Sequence, residues 1–261
     1  MITSADNSLV RRSRRLTKKK YRDRTGTFLL EGEKLIAEAA AAGRVEWILV
    51  DGGQDRAAAL RARHPDWPAG LRIADLSPRL FAGIAQTVTS QGLAAVVRKE
   101  ERPLPVTAGS NYVVLDRLQD PGNIGAILRT AEAAGFAGAI AVRGTGDLFA
   151  PKTVRAAAGA MLRLPTAVMD DADAVCDWLE AAGKRVVTTS LDAARRYDEV
   201  DLHRDIALVI GNEGNGISAR FAERGQISIK IPMQGAVESL NAAVAAGILM
   251  YQTIRKDSVE E

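Results

Sequence analysis

The sequence predicts an α/β protein, with a C-terminal domain built on a mostly parallel sheet and a smaller N-terminal α/β domain. Two observations predict it. Short apolar, β-branched runs alternate with segments of helical periodicity along the 261-residue chain. In the last third, two such runs end in glycine-rich loops: Ile206 to Ile210 stops at Gly211 in DIALVIGNEGNGIS, and Ile227 to Ile231 stops at Pro232 in ISIKIPMQGAVESLN. Turns of this kind leave backbone N–H and C=O groups free at the carboxyl ends of a sheet, where open α/β sheets bind ligands.

Taken in order, Asn7 to Lys20 predicts a basic, weakly amphipathic helix, Thr27 to Leu30 a strand, and Gly32 to Ala42 a helix closed by Gly43. Val45 to Val50, Leu71 to Ala74 and Gly92 to Val97 read as strands, and Gln54 to Arg63 as a polar helix. Leu76-Ser77-Pro78 opens a helix with proline near its start. These elements define a domain over residues 25–98, preceded by a basic arm, 1–24. In KEERPLPVTAGS two prolines and four charges mark residues 99–110 as a linker.

The second domain then spans 111–261. It reads as a strand at Tyr112 to Leu115, a loop DRLQDPGNIG, a helix from Ile124 to Ala134, and a strand from Ala139 to Val142. A short helix in PKTVRAAAGAMLRLP, a helix around Cys176 and a strand from Arg185 to Thr189 lead to the two glycine-loop strands. In the closing helix Ser239 stands where an N-cap belongs, and Leu240, Val244, Ile248 and Tyr251 recur at helical spacing.

Composition narrows the function. Apolar residues make up 47% and charged residues 26%, ordinary for a soluble globular protein. No apolar run approaches membrane-spanning length and the start lacks the apolar core of a secretory signal, so a cytoplasmic protein is expected. A single cysteine, Cys176, excludes an internal disulfide and a multi-cysteine metal site, and its place in an apolar stripe marks a buried structural thiol. With only His64 and His203, both read as surface residues, neither a histidine metal cluster nor a Ser-His-Asp triad is expected. Trp47 and Trp67 read as packing residues. Gly144-Thr145-Gly146-Asp147 lacks the third glycine and the lysine of a phosphate loop and reads as a turn. No GxGxxG follows a first strand, which disfavours a dehydrogenase.

Charge placement points to a partner. Residues 1–24 hold nine Lys or Arg against Asp6 and Asp23, although the chain is only +3 overall. A basic cluster of this kind is the footprint of a polyanion, most often nucleic acid.

Three segments carry a resemblance. DPGNIGAILRTAEAAGF, LVIGNEGNGIS and IPMQGAVESLNAAVAAGI resemble, in this order, the signature motifs of the SpoU-type (SPOUT superfamily, TrmH-like) RNA 2′-O-ribose methyltransferases. PKTVRAAAGAMLRLP is similar to the same family, and FLLEGEKLIAEAAAAG and VTSQGLAAVV to its substrate-binding domain. The resemblance implies a catalytic domain with a C-terminal trefoil knot whose loops bind S-adenosylmethionine. Gly211, Ile231 and Leu240, with Thr189 and Met233, are the implied cofactor positions, and Asn123, Arg129, Glu213, Ser239 and Asn241 the implied catalytic positions. Arginine stays protonated, so Arg129 is expected to hold an RNA phosphate and stabilise the forming alkoxide rather than act as a simple base. Glu213 is expected to orient Arg129 or Asn123, and Ser239 and Asn241 to cap the last helix and fix the loop beside it. Ala242 stands where many family members carry valine, a small loss of packing volume. A homodimer through the knot region is also implied, with Leu249 and Tyr251 as candidate contacts. The separate first domain and the basic arm favour ribosomal RNA of the 23S type as substrate. The alternatives are a tRNA methyltransferase and a non-catalytic RNA-binding factor on the same fold.

Overall fold

The apolar runs pair into two separate sheets. The computed structural model describes residues 1–52, 56–86 and 90–254. It divides into two compact units, Met1–Glu100 with Phe149–Arg155, and Glu101–Leu148 with the chain from Ala156 onward.

In the first unit, α1 (Ser8–Arg15) and α2 (Lys19–Thr25) precede β1 (Thr27–Glu31), α3 (Glu33–Ala41), β2 (Val45–Asp51), α4 (Arg56–Arg63), β3 (Arg72–Leu76), α5 (Pro78–Ala82) and β4 (Leu93–Arg98). The sheet order is β1-β4-β2-β3, with β4 antiparallel to both neighbours and β2 parallel to β3. The helix expected from Asn7 to Lys20 is two helices. Leu16 and Thr17 donate to the carbonyls three residues back, and the Thr17 hydroxyl donates to Arg14 O at 2.9 Å, which ends the first helix. Nor is 1–24 a detached arm: Leu9, Val10 and Leu16 lie in one buried cluster with Trp47, Leu49, Leu76 and Phe81. Trp47 donates its indole N–H to Ser13 Oγ at 3.1 Å, and Trp67 is buried as a packing residue. His64 is half-buried rather than on the surface, stacked on Trp67 at 4.2 Å and bonded to Glu33 at 2.9 Å. The expected start of the fourth helix at Gln54 and the Val88-Thr89 part of VTSQGLAAVV lie outside the described residues.

The second unit begins with β5 (Tyr112–Leu115), α6 (Pro121–Ala133) and β6 (Gly138–Val142), and continues through α7 (Pro151–Ala156), which starts in the first unit, and α8 (Ala160–Arg163). Then come β7 (Thr166–Met169), α9 (Ala172–Ala181), β8 (Arg185–Thr189), β9 (Arg195–Arg196), β10 (Ile206–Ile210), α10 (Ala219–Arg224), β11 (Ile227–Lys230) and α11 (Ala242–Gln252). The sheet order is β7-β6-β5-β10-β8-β11-β9, with every pair parallel. Central β5 and β10 are buried along their whole length, as strands covered on both faces must be. The edge strands β7 and β9 are half-exposed or exposed, so no buried apolar run announces them in the sequence. The short helix expected in PKTVRAAAGAMLRLP is two, broken where Ala158 and Gly159 take φ of +46° and +91°. Cys176 is buried, and burial pushes its thiol pKa up. Residues 107–109 are held rather than free: buried Lys184 donates to Thr107 O at 2.7 Å and to Asp205 Oδ1 at 2.6 Å, which also accepts from Gly109 N at 2.8 Å.

α11 departs from its expected face. Ala246, Leu249 and Met250 are its buried residues and it packs on α6, whereas Val244 and Tyr251 are 51% and 54% exposed. The helix is apolar all round, so spacing alone cannot select the inward side. Leu249 is consumed by its own subunit and is not a partner contact.

The packed position of α1 gives a direct test. Leu9→Ala should cost about 2–4 kcal/mol in urea unfolding, whereas a side chain on a solvated arm would leave the midpoint unchanged.

Candidate active site

Three loops meet at the carboxyl ends of neighbouring strands, because β5 lies between β6 and β10. The loop after β10 sets the geometry. A Cβ on Gly211 would lie 2.3 Å from Gly216 C and 2.4 Å from Ile217 N, so only glycine fits where the loop folds back on itself. Asn212 and Gly216 exchange backbone hydrogen bonds of 2.8 and 2.9 Å, and Gly216 closes the turn at φ +66°. The Asn212 side chain accepts from Gly214 N and Asn215 N, both at 3.0 Å, and donates to Arg117 O at 2.9 Å. Asp116, its side chain only 1% exposed, accepts from Ser218 N at 2.5 Å and from Arg117 Nε at 3.1 Å. Both ends of the glycine loop are thereby tied to residues 116–117.

The loop after β6 braces the same segment. Gln119 Nε2 donates to Gly144 O at 2.7 Å, Gly146 N to Leu118 O at 2.8 Å, and Arg117 N to Thr145 Oγ1 at 3.1 Å. The Gly-Thr-Gly-Asp turn thus positions the β5 loop.

Glu213 crosses from the glycine loop to the start of α6. Its carboxylate accepts from Gln119 N and Asp120 N, both at 3.2 Å, and from Asn123 Nδ2 at 3.1 Å. Burial pushes its pKa up, but the N–H donors from its own backbone, Asn123, Gln119 and Asp120 outweigh that and leave it below the ordinary value. Asn123 is inside α6, not in a loop, because Asp120 caps the helix by accepting from Asn123 N at 2.8 Å. Its Oδ1 accepts from Asn241 Nδ2 at 2.9 Å. Asn241 in turn caps α11, its Oδ1 accepting from Ala243 N at 2.9 Å and Val244 N at 3.3 Å. The amide orientations follow: an oxygen must face the α11 N–H groups, so the nitrogen faces Asn123. One polar chain therefore runs from the α11 N-terminus through Asn241 and Asn123 to Glu213.

The structure separates the other two candidates from this chain. Arg129 is exposed in the middle of α6 and makes no side-chain hydrogen bond or ion pair with another described residue, so Glu213 orients Asn123 and not Arg129. Ser239 is exposed and is not the cap; Asn241 is. The cofactor candidates Gly211, Thr189 and Ile231 stand at or just past the ends of adjacent β10, β8 and β11, and Met233 and Leu240 follow in the next loop; all five are half-buried. Across residues 231–240 the backbone makes no hydrogen bond with another described residue, leaving donors and acceptors available to a ligand. Among the described residues no group of His, Cys, Asp or Glu is arranged to hold a metal ion.

Asp116, Asn212, Gln119 and Asp120 were not foreseen. Asp120 had a legible signal, an Asp-Pro pair opening a helix; a charge ending the apolar run YVVL was the only hint of Asp116.

Comparison with known proteins decides the family. The SpoU rRNA Methylase family profile matches residues 110–251, and an MRM3-like substrate binding domain profile matches 7–95. The chain belongs to the SpoU rRNA methylase family. Within it, the chain is 37% identical to the 23S rRNA (guanosine(2553)-2′-O)-methyltransferase RlmP of Bacillus subtilis, over 96% of this chain and 97% of that one. It is 33% identical to the 23S rRNA (guanosine-2′-O-)-methyltransferase RlmB of Coxiella burnetii over 66% of each. The AdoMet-bound rRNA methyltransferase from Sinorhizobium meliloti superposes with a TM-score of 0.85 at 32% identity, covering 97% of this chain and 96% of that one. The Glu213–Asn123–Asn241 chain thus joins all three SpoU-type motifs of this chain.

Two outcomes follow from the geometry. Asn241→Ala should lower stability by about 1 kcal/mol through loss of the cap, while Ser239→Ala leaves the melting temperature unchanged. Because the Glu213 pKa is depressed on folding, its stabilising contribution is present above the unfolded value of about 4.3 and is lost as pH falls through the lower folded value. Acid titration of Glu213→Gln should show a shallower loss of stability over that window than wild type, and equal slopes would remove the carboxylate from the clasp.

Proposed function

We propose that the protein methylates a ribose 2′-hydroxyl of ribosomal RNA, of the 23S type, using S-adenosylmethionine. The observation that carries this reading is the assembly of Glu213, Asn123 and Asn241 into one chain, beside loop backbone groups and an arginine that have no partner among the described residues. The relatives named for 23S ribosomal RNA and the AdoMet-bound structural neighbour support the substrate and the cofactor over a tRNA substrate. The family's cofactor supplies an electrophilic methyl group on a sulfonium. The free N–H and C=O groups of residues 231–240, with Gly211 and Thr189 beside them, suit the hydrogen-bonding edge of its adenine.

The chain's own residues have definable tasks. A ribose hydroxyl is a weak acid, so its oxygen must be held in line and its developing negative charge stabilised. Arg129, exposed and without a carboxylate partner among the described residues, takes an RNA phosphate and stabilises that charge as the hydroxyl proton leaves to water. Asn123, held at both ends of its amide, fixes the entrance of α6 on which Arg129 stands. Glu213, already accepting three N–H groups, acts as a clasp rather than a base.

The reading includes a trefoil knot in the C-terminal segment, supported by β10 lying between β5 and β8 while β11 lies beyond β8. It also includes a homodimer, supported by Val237, Val244, Tyr251 and Ile254, which leave apolar surface exposed along and beside α11. The reading also includes a cytoplasmic location, supported by the bacterial relatives.

With labelled S-adenosylmethionine and separated ribosomal RNA and tRNA, label should enter ribosomal RNA as an alkali-resistant 2′-O-methyl nucleotide. Arg129→Ala should reduce the rate at least about 100-fold. Full activity in Arg129→Lys would show that the planar guanidinium is dispensable, and label in tRNA alone would favour the tRNA reading. Val244→Asp should shift the protein to monomer in light scattering; a monomeric wild type would remove the dimer.

A further inference from the structure

The corner formed by α1 and α2 presents positive charge that no described residue neutralises. Arg11, Arg15, Lys18, Lys20 and Arg24 are exposed, and none forms a side-chain hydrogen bond or ion pair with another described residue. Neighbouring cations do find partners: Arg12 reaches Glu46 at 3.3 Å, and Lys19 and Lys99 reach Asp23 at 2.5 and 3.0 Å. In the second unit Arg220 and Arg224 are likewise paired, with Asp173 and Asp177 among their acceptors. Four of these charges lie on two short helices and the fifth, Lys18, between them; they repel one another, and the arrangement is relieved when a polyanion covers it.

Two of the five are organised by a ring. The guanidinium of Arg15, the last residue of α1, lies 5.2 Å from the Tyr21 ring centroid, and that of Arg24, in α2, lies 4.8 Å from it. Stacking on an aromatic face restricts guanidinium groups that would otherwise sample many rotamers, so the pair loses less freedom when it binds. The turn beneath is fixed, since buried Arg22 donates to Leu16 O at 2.5 Å and Leu16 sits in the core. What the corner offers is N–H forks and positive charge, which match phosphate oxygens. No large apolar side chain of α1 or α2 is exposed, so the corner has nothing to insert into a lipid surface.

We propose that the α1–α2 corner docks the RNA backbone, with Arg15 and Arg24, held over Tyr21, each engaging a phosphate irrespective of base sequence. The surface positions the substrate and takes no part in methyl transfer. The proposal rests on RNA being the substrate of this protein.

The test uses the full chain, protein-free 23S ribosomal RNA and unlabelled S-adenosylmethionine, with binding measured across a salt series and methyl transfer measured in parallel. The Arg15→Ala/Arg24→Ala double variant should bind RNA about tenfold or more weakly at 0.1 M salt, and its log K against log salt slope should fall by about 1.5, the release expected for two phosphate contacts. Its KM for RNA should rise while kcat at saturating RNA, cofactor affinity and melting temperature stay at wild-type values. Tyr21→Ala should weaken binding a few-fold with the slope unchanged, Tyr21→Phe should match wild type, and Arg220→Ala, which removes a paired cation, should change nothing. Wild-type affinity and slope in the double variant, or an equal loss in cofactor affinity, would overturn the proposal. Wild-type affinity in Tyr21→Ala would overturn the part given to the ring. If the wild type methylates no RNA yet binds it through Arg15 and Arg24, the methyltransferase reading fails and the docking surface stands; methylation with RNA affinity indifferent to these residues is the opposite result.

Discussion

The second unit is organised around one carboxylate. Glu213 accepts two backbone N–H groups from the β5–α6 loop and one amide from Asn123, and so holds the end of one central strand against the start of a helix that follows its neighbour. The arrangement exists only because the loop carrying Glu213 is rigid. Gly211 folds so tightly under Gly216 that a side chain cannot be accommodated, and Asp116 and Asn212 tie the loop's ends to the end of β5. A charged acceptor satisfied by several N–H donors is a stronger clasp than a neutral one, and its depressed pKa reports that the donors prevail over desolvation.

From this clasp the polar chain passes through Asn123 and Asn241 into the N-terminus of α11. Helix N–H groups end a row of amides that points negative ends toward α11 and amide nitrogens toward Glu213, so each group fixes the orientation of the next. Arg129 stands apart, its charge unanswered among the described residues, whereas Arg143 and Arg163 in the same unit are paired with Asp170 and Glu132. Unpaired cations are costly to crowd and useful to a polyanion. Such cations stand on α6 and crowd together at the α1–α2 corner, while many others are paired.

Much of the architecture was legible because it follows from local chemistry. Buried strands such as Tyr112–Leu115 and Ile206–Ile210 announce themselves as continuous apolar runs, and Gly43 ends a helix where expected, at positive φ. What was misjudged was decided by neighbours distant in sequence. The basic stretch 1–24 reads as an arm ahead of the first domain, yet Leu9, Val10 and Leu16 pack with Trp47 and Leu76; α11, apolar on every side, received its inward face from α6. Ser239 and Asn241 both have side chains able to cap a helix, and only the start of the helical backbone at Ala242 chose the asparagine.

By itself the sequence determined the strand and helix content, the concentration of positive charge near the N-terminus, the glycines that turn the loops, and the three motifs that identify the family. These are properties of residue type and short-range spacing. The tertiary structure decided which of the motif residues touch. It placed the late strand β10 between β5 and β8, and only that order brings Glu213 to Asn123, and Asn123 to Asn241, across separations of 90 and 118 residues. It also left Arg129 outside the hydrogen-bonded chain and drew Asp116 and Asn212 into the support of the glycine loop. Hydrogen bonds between residues so far apart have no periodicity to betray them, because they depend on how strands are ordered in a sheet.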